Sequence, residues 1–251
     1  MKLFDTYPRS HPPLPERWQA IYEETYKASR DGQTFLYRLT QSLEAWMHRK
    51  VSSAGCPESK ILEIGAGTLN HIDYEPNASS YDIIEPFREL YLNRKELCRV
   101  GQIFDDIDRV PLSTEYGKIL SVAVLEHISN LPGVVARAGL LLNKGGVFCA
   151  GIPSEGGFLW GLGWRATVGV VARLKLGLNY GDLMRHEHLS TAPEIIAVVR
   201  YFFKQVEVSR FPLPFHHLSL YACIRASDPI ADRCRGFLHD REVPESDDQG
   251  G

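Results

Sequence analysis

Short, nearly uninterrupted apolar runs alternate along the middle of the chain with stretches whose apolar residues recur at helical spacing. That alternation predicts a layered α/β fold. Residues 60–64, 79–85, 118–124 and 147–153 are runs of the kind a parallel sheet covered on both faces requires, and 100–104 reads as a shorter strand between them. Residues 87–97 and 131–142 read as helices, the second closed by Asn143-Lys144-Gly145-Gly146. Ahead of the first strand, Phe35, Leu36, Leu39, Leu43, Trp46, Met47 and Val51 mark one helical face, and Trp18, Ile21, Tyr22 and Tyr26 a looser one over 16–27. Pro8, Pro12, Pro13 and Pro15 make the first residues an irregular arm. Beyond the fifth strand, Thr191-Ala192-Pro193-Glu194 is a capping box opening a helix. Residues 205–209 and 218–224 follow as a sixth and a seventh strand. The pattern divides the chain into an arm and helices over 1–55, a sheet domain over 56–226 with an insert at 154–190, and a partly disordered tail over 227–251 that is acidic and poor in apolar residues from about Arg241.

The chemistry gathers where the first strand ends. Lys60-Ile61-Leu62-Glu63-Ile64 runs into Gly65-Ala66-Gly67, a turn in which the missing Cβ atoms let the backbone take unusual dihedrals and let a ligand approach the main chain. Glu63 is the one acid inside an apolar strand, so it is expected at the open carboxyl edge of the sheet, facing an ammonium or ordered water. Glu85, closing the second strand before Pro86, stands about twenty residues beyond Gly65, the spacing at which an acid accepts both ribose hydroxyls of an adenosine ligand. After the third strand come Asp105, Asp106 and Ile107, a carboxylate for an adenine amino group and a side chain to pack on the ring.

Charge and cysteine usage narrow the function classes. With 28 basic and 31 acidic residues and no basic stripe, the chain lacks the electrostatic footprint of a nucleic-acid reader. Five scattered cysteines without a Cys-x-x-Cys pair do not form a disulfide framework and suit a reducing, cytoplasmic setting. No apolar run is long enough to span a bilayer, and the first residues do not read as a signal peptide.

Taken together, Glu63-Ile64-Gly65-Ala66-Gly67, Glu85, Asp105-Asp106, Val124-Leu125-Glu126-His127-Ile128 and the Leu140-to-Gly146 turn before a strand ending in Pro153 resemble the class I S-adenosylmethionine-dependent methyltransferases. The nearest branch is the small-molecule group that includes the ubiquinone and menaquinone enzymes. The resemblance covers residues 57–155. It implies a doubly wound, Rossmann-like sheet of seven strands with an antiparallel last strand, preceded here by an N-terminal helical extension. It implies S-adenosylmethionine as cofactor, with Gly65, Ala66 and Gly67 against its methionine part and Glu63 orienting its amino group. Glu85 would hold the ribose, Asp106 with Ile107 the adenine beside Asp105, and the backbone at Val122 and Ala123 the amino acid moiety. Two positions depart from the family: Leu69 replaces the third glycine of Gly-x-Gly-x-Gly, and Lys118 stands where an aspartate is common.

The implied reaction is methyl transfer to a small-molecule or glycan acceptor, with oxygen as the expected nucleophile. An oxygen acceptor needs its proton removed, and His127, His186 and His188 are the candidate bases. In Arg185-His186-Glu187-His188, an extended backbone would put both histidines on one side. No further ligands follow at a recognisable spacing, so no metal site is expected. The glycine- and aromatic-rich insert from Gly156 to Leu176 reads as a lid or acceptor pocket, with peripheral membrane contact through Trp160 and Trp164 as its other use. Two rivals remain: a nicotinamide oxidoreductase, in which Asn70 would occupy the last glycine position of Gly-x-Gly-x-x-Gly, and a non-catalytic module of the same fold.

Overall fold

The computed structural model describes residues 4–15, 18, 35–177 and 179–242. Of the helix expected over 16–27 only Trp18 is among them, and the last nine residues lie outside. Seven strands form one sheet: β1 (Lys60–Ile64), β2 (Ser80–Ile84), β3 (Ile103–Phe104), β4 (Tyr116–Val122), β5 (Leu142–Pro153), β6 (Phe203–Pro212) and β7 (Ser219–Pro229). Their order is β3-β2-β1-β4-β5-β7-β6, parallel through the first five, with β7 antiparallel to both neighbours. The strand order reverses between β1 and β4, which places the switch point of the sheet at the glycine turn.

One half of the sheet has the expected helices. Helix α1 (Phe35–Ser52) lies across β4, β5 and β7, and α2 (Leu131–Leu141) covers the opposite face beside α6 (Ala192–Phe202). Asn130 caps α2 by accepting from the Gly133 N–H at 3.3 Å. The Thr191-to-Glu194 capping box opens α6 as its sequence predicts.

The other half differs. No α-helix joins β1 to β2 or β2 to β3. The first connection contains only a 3₁₀ turn at Ile72–Tyr74, and the segment predicted as a helix over 87–97 is two such turns, Arg88–Leu90 and Lys95–Arg99. Leu69 explains the first change: at the third-glycine position it takes φ 62°, and its side chain is buried with Ile61, Ile72 and Ile83. A left-handed residue there ends the turn rather than starting a helix. The helix-less connections are tied down by polar groups. Lys118, fully buried on β4, donates to Glu75 at 2.5 Å and to the Ser52 carbonyl at the end of α1 at 3.1 Å. Glu75 also meets His71 at 3.3 Å, and His71 pairs with His48 of α1 at 2.8 Å. Arg99 bridges the two connections through Asp73 and the carbonyls of Ile72 and Glu75.

The insert forms α3 (Phe158–Trp164), a π turn (Arg165–Gly169), α4 (Val170–Leu176) and α5 (Tyr180–Glu187). The N-terminal arm crosses the far edge: the Phe4 ring packs 4.8 Å from Tyr201 and 5.0 Å from Phe237, and Arg9 pairs with Glu194 at 2.7 Å. Residues 227–242, expected as part of a tail, are instead the end of β7 and α7 (Ala231–Glu242). Cys234 is fully buried against Gly139, and Phe237 packs 5.5 Å from Phe202, so this helix belongs to the core.

Removing one partner of a buried ion pair leaves the other charge without compensation. Lys118→Met is therefore expected to lower unfolding free energy by about 3–5 kcal/mol. The Lys118→Met/Glu75→Leu double variant should recover much of that loss, and denaturant unfolding followed by circular dichroism measures both.

Candidate active site

Five carboxylates stand at or just beyond the carboxyl ends of the first five strands, the edge at which open α/β sheets bind ligands: Glu63, Glu85, Asp106, Glu126 and Glu155. Gly65 and Gly67 take φ 72° and 51°. A Cβ on Gly65 would sit 2.5 Å from the Val124 side chain, whereas one on Gly67 would meet nothing within 4 Å. The turn is thus closed against β4 at its first glycine and open at its second.

Glu85 points into this opening. Its carboxylate accepts the Gly67 N–H at 2.7 Å and the Phe87 N–H at 3.0 Å, which fixes it at the mouth while leaving lone pairs for a ligand's hydroxyls. Glu63 is buried and accepts the Tyr81 hydroxyl at 2.8 Å. Burial, with the nearby Glu75 and Glu85 charges, outweighs that bond and pushes its carboxyl up to about 8. Among the described residues no ammonium pairs with it, and Lys118 is bound to Glu75.

Asp105 and Asp106 are exposed, and Asp106 caps the 3₁₀ turn at Ile107–Arg109 by accepting the Asp108 N–H at 2.8 Å. Ile107 is buried. Val122 ends β4, and Ala123 follows in the left-handed region at φ 54°, its N–H bonded to the Gly151 carbonyl at 2.8 Å.

The three histidines separate. The segment around them is helical up to Glu187, so His186 and His188 do not share a side as an extended chain would have them. His186 turns to the N-terminal arm, with its Nδ1 2.5 Å from the Pro12 carbonyl and its ring 5.1 Å from that of His11. His127 and His188 come together, ring centroids 5.0 Å apart, because the chain after α5 is zipped onto the turn after β4. The Leu189 and Ser190 N–H groups both donate to the Glu126 carbonyl, at 2.7 and 3.1 Å, and His127 Nδ1 donates to the Glu187 carbonyl at 2.7 Å. His188 Nδ1 meets Glu155 at 2.9 Å. Burial alone would lower the His188 pKa, but the Glu155 hydrogen bond and the charges of Glu126, Glu155 and Glu187 reverse that and raise it. Burial likewise works against the Glu155 charge, yet its bonds from His188 and Trp160 hold its pKa below the usual value. Glu126 is raised by burial.

From the sequence, Glu126 stands out only as part of the Val124-to-Ile128 motif and Glu187 only as a neighbour of His186 and His188, and Glu155 does not stand out at all. Their signal was position alone, an acid one to four residues past a parallel strand or beside a histidine. The tryptophans suggested for a membrane surface face inward: Trp160 donates to Glu155 and packs 5.7 Å from Tyr221, and Trp164 lies 5.8 Å from Tyr180. Among the insert's described residues, Phe158 and Leu174 are the most exposed large apolar side chains, 66% and 80%, and Leu162 and Val170 are exposed as well. Among the described residues no helix is long and apolar enough to cross a membrane. A cleft of about 360 Å³ opens between the arm and α5, lined by Arg9, Pro12, Arg185 and His188 among others.

No family model matches the sequence, and none of the curated proteins matches it. Solved structures do. A protein from Thermotoga maritima described as a possible histamine N-methyltransferase is 15% identical over 84% of this chain and 99% of its own, with a TM-score of 0.58. The N-methyltransferase NodS from Bradyrhizobium japonicum is 14% identical over 76% and 96%, with a TM-score of 0.51. A methyltransferase from Mesorhizobium loti is 14% identical over 73% and 97%, also at 0.51. At such identities the likeness is one of architecture: this chain has the fold of the class I S-adenosylmethionine-dependent methyltransferases.

Proposed function

We propose that the protein transfers the methyl group of S-adenosylmethionine to a hydroxyl of a small molecule or sugar. The observation that carries this reading is the Glu85 carboxylate, buried and held by the Gly67 and Phe87 N–H groups at the open side of the glycine turn. The residues at the mouth fit the cofactor. Gly67 leaves room for it, Glu85 has free lone pairs for its ribose, and Glu63 is a buried acid in want of an ammonium. Asp106 and Ile107 would take the adenine, and the backbone at Val122 and Ala123 the amino acid end. A dinucleotide suits the mouth less well, because its pyrophosphate needs a helix N-terminus after the glycine turn and a short 3₁₀ turn stands there.

The bound cofactor supplies a methyl group already activated as a sulfonium. The protein's part is then to orient the acceptor and exclude water. The cleft beside His188, under the arm, is the proposed acceptor entrance. In both His127 and His188 the Nδ1 proton is committed to an acceptor, so each Nε2 is the atom that can take a hydroxyl proton. His186 in this reading positions the arm.

Calorimetry should detect S-adenosylhomocysteine binding and no NAD binding. Glu85→Ala should weaken the former at least tenfold, as expected for loss of charge-assisted hydrogen bonds. Tight NAD binding without S-adenosylhomocysteine binding would reverse the assignment.

With its pKa at about 8, Glu63 is mostly protonated at neutral pH in the free protein. An ammonium beside it favours the carboxylate, so ligand binding at pH 7 should release up to one proton. Titrations in buffers of different ionisation enthalpy measure this, and Glu63→Gln should abolish the release.

In an acceptor screen with labelled methyl donor, His127→Gln and His188→Gln should each lower turnover by about 10²-fold or more while cofactor affinity stays nearly intact. Unchanged turnover in either variant would remove that histidine from the mechanism.

A further inference from the structure

Two imidazoles and one carboxylate converge at the end of β4, and each is set as a ligand is set. Glu126 is 2% exposed, and its Oε2 has no hydrogen-bond partner. Leaving a buried carboxylate oxygen so costs more than the roughly 1–3 kcal/mol of a neutral group, so the site is poised for a cation or donor. His127 gives its Nδ1 proton to the Glu187 carbonyl at 2.7 Å, and His188 gives its own to the Glu155 carboxylate at 2.9 Å. Both rings are thereby fixed in the tautomer that presents the Nε2 lone pair. Metal-bound histidines are oriented in this way, with the outer nitrogen on a carbonyl or carboxylate.

The distances fit. One donor atom from each of Glu126, His127 and His188 lies within 4.8 Å of the other two, and His127 Nε2 stands 3.8 Å from Glu126 Oε1. Tetrahedral bonds of about 2.1 Å put ligand atoms roughly 3.4 Å apart, so side-chain shifts on the order of 1 Å close the set on an ion. The other histidine–carboxylate cluster, His48, His71 and Glu75, cannot do this, because the Lys118 ammonium already fills the cation's place.

We propose that Glu126, His127 and His188 bind one divalent first-row transition-metal ion, Zn²⁺, Fe²⁺ or Mn²⁺, as an open three-ligand site at the inner end of the acceptor cleft. Two nitrogens and one oxygen from the protein leave coordination positions for exchangeable ligands, the mark of a catalytic rather than a structural site. The metal site stands on its own geometry. Its use in the reaction rests on the methyl-transfer reading: an acceptor hydroxyl held at an open position becomes more acidic. The hydroxyl proton then passes to solvent, the oxygen pair forms the bond to the methyl carbon, and the broken carbon–sulfur bond leaves its pair on sulfur. Where the ion is bound, the two Nε2 atoms are its ligands and act on that proton through it; the base role given them above is that of the metal-free site.

The test uses the full chain, stripped of metal by chelation and dialysis, and titrated with Co²⁺ by absorption spectroscopy and with Zn²⁺ by calorimetry. One equivalent should bind, with visible ligand-field bands for Co²⁺. Glu126→Gln and His188→Ala should each weaken binding at least 100-fold, while His186→Ala, close by on α5, should not. S-adenosylhomocysteine binding and a cooperative melt, measured on the same samples, report whether each variant is folded. A variant that does not fold is replaced by His127→Gln. Wild type that binds neither ion at one equivalent, or binding that survives both substitutions, overturns the proposal. Stoichiometric Co²⁺ binding without S-adenosylhomocysteine binding supports the metal site and removes the methyl-transfer reading.

Discussion

The Lys118–Glu75 pair is the constraint on which the half of this molecule around the glycine turn depends. A doubly wound sheet normally secures the backbone after its first strand with a helix, whose internal hydrogen bonds satisfy every residue between the glycine turn and β2. Here that helix is absent, and fifteen residues must be held by something else. Lys118, reaching from the middle of β4, neutralises Glu75 and also caps the carbonyl end of α1, so one ammonium joins sheet, helix and connection. The aspartate more usual at this strand's start could not do so. The two departures from the family pattern, Leu69 and Lys118, are thus halves of one change. Leu69 ends the turn before a helix can begin, and Lys118 supplies an anchor in its stead.

That anchor has an electrostatic consequence at the mouth. Because Glu75 takes the buried ammonium, Glu63 two strand positions below Gly65 is left with only the Tyr81 hydroxyl. Desolvation wins, and the acid stays largely protonated until a cation reaches it. Glu85, at the same edge, accepts two backbone N–H groups instead of a hydroxyl. Two acids about one strand apart thus stand in different surroundings, which is what the proposed reading, with an ammonium at one and hydroxyls at the other, asks of them.

The parallel strands and the helices α1, α2 and α6 were legible in the sequence because each carries a strong local signal: a β-rich apolar run, a wide apolar face, or the Thr191-to-Glu194 box. The failures have physical causes. Residues 87–97 have apolar positions at helical spacing, but they form two separate 3₁₀ turns, with only Tyr91 and Glu96 between Phe87 and Leu97 buried. Helix α7 has mostly polar neighbours along the chain, and the residues that hold it, Cys234 and Phe237, show their worth only against Gly139, Phe4 and Phe202 from far away. The strand-end acids Glu63, Glu85 and Asp106 were readable because they lie on or directly after strands. The histidine pair was not. His127 and His188 are sixty-one residues apart, and nothing local announces that the Glu126 carbonyl will collect the Leu189 and Ser190 N–H groups.

Those two hydrogen bonds also tie the segment after α5 to the turn after β4. The turn after β4 is fixed by the sheet, whereas α5 and the arm are layers laid over it. Arg9 binds the Leu189 carbonyl and Glu194, Tyr7 bonds Ser190 at 3.0 Å, and His186 takes the Pro12 carbonyl, so the arm grips both flanks of His188. His188 is therefore positioned by the part of the protein that also lines the cleft. Under the proposed function, a substrate that moved the arm would also move His188 relative to Glu126 and His127, so acceptor fit and alignment of the three would be one event.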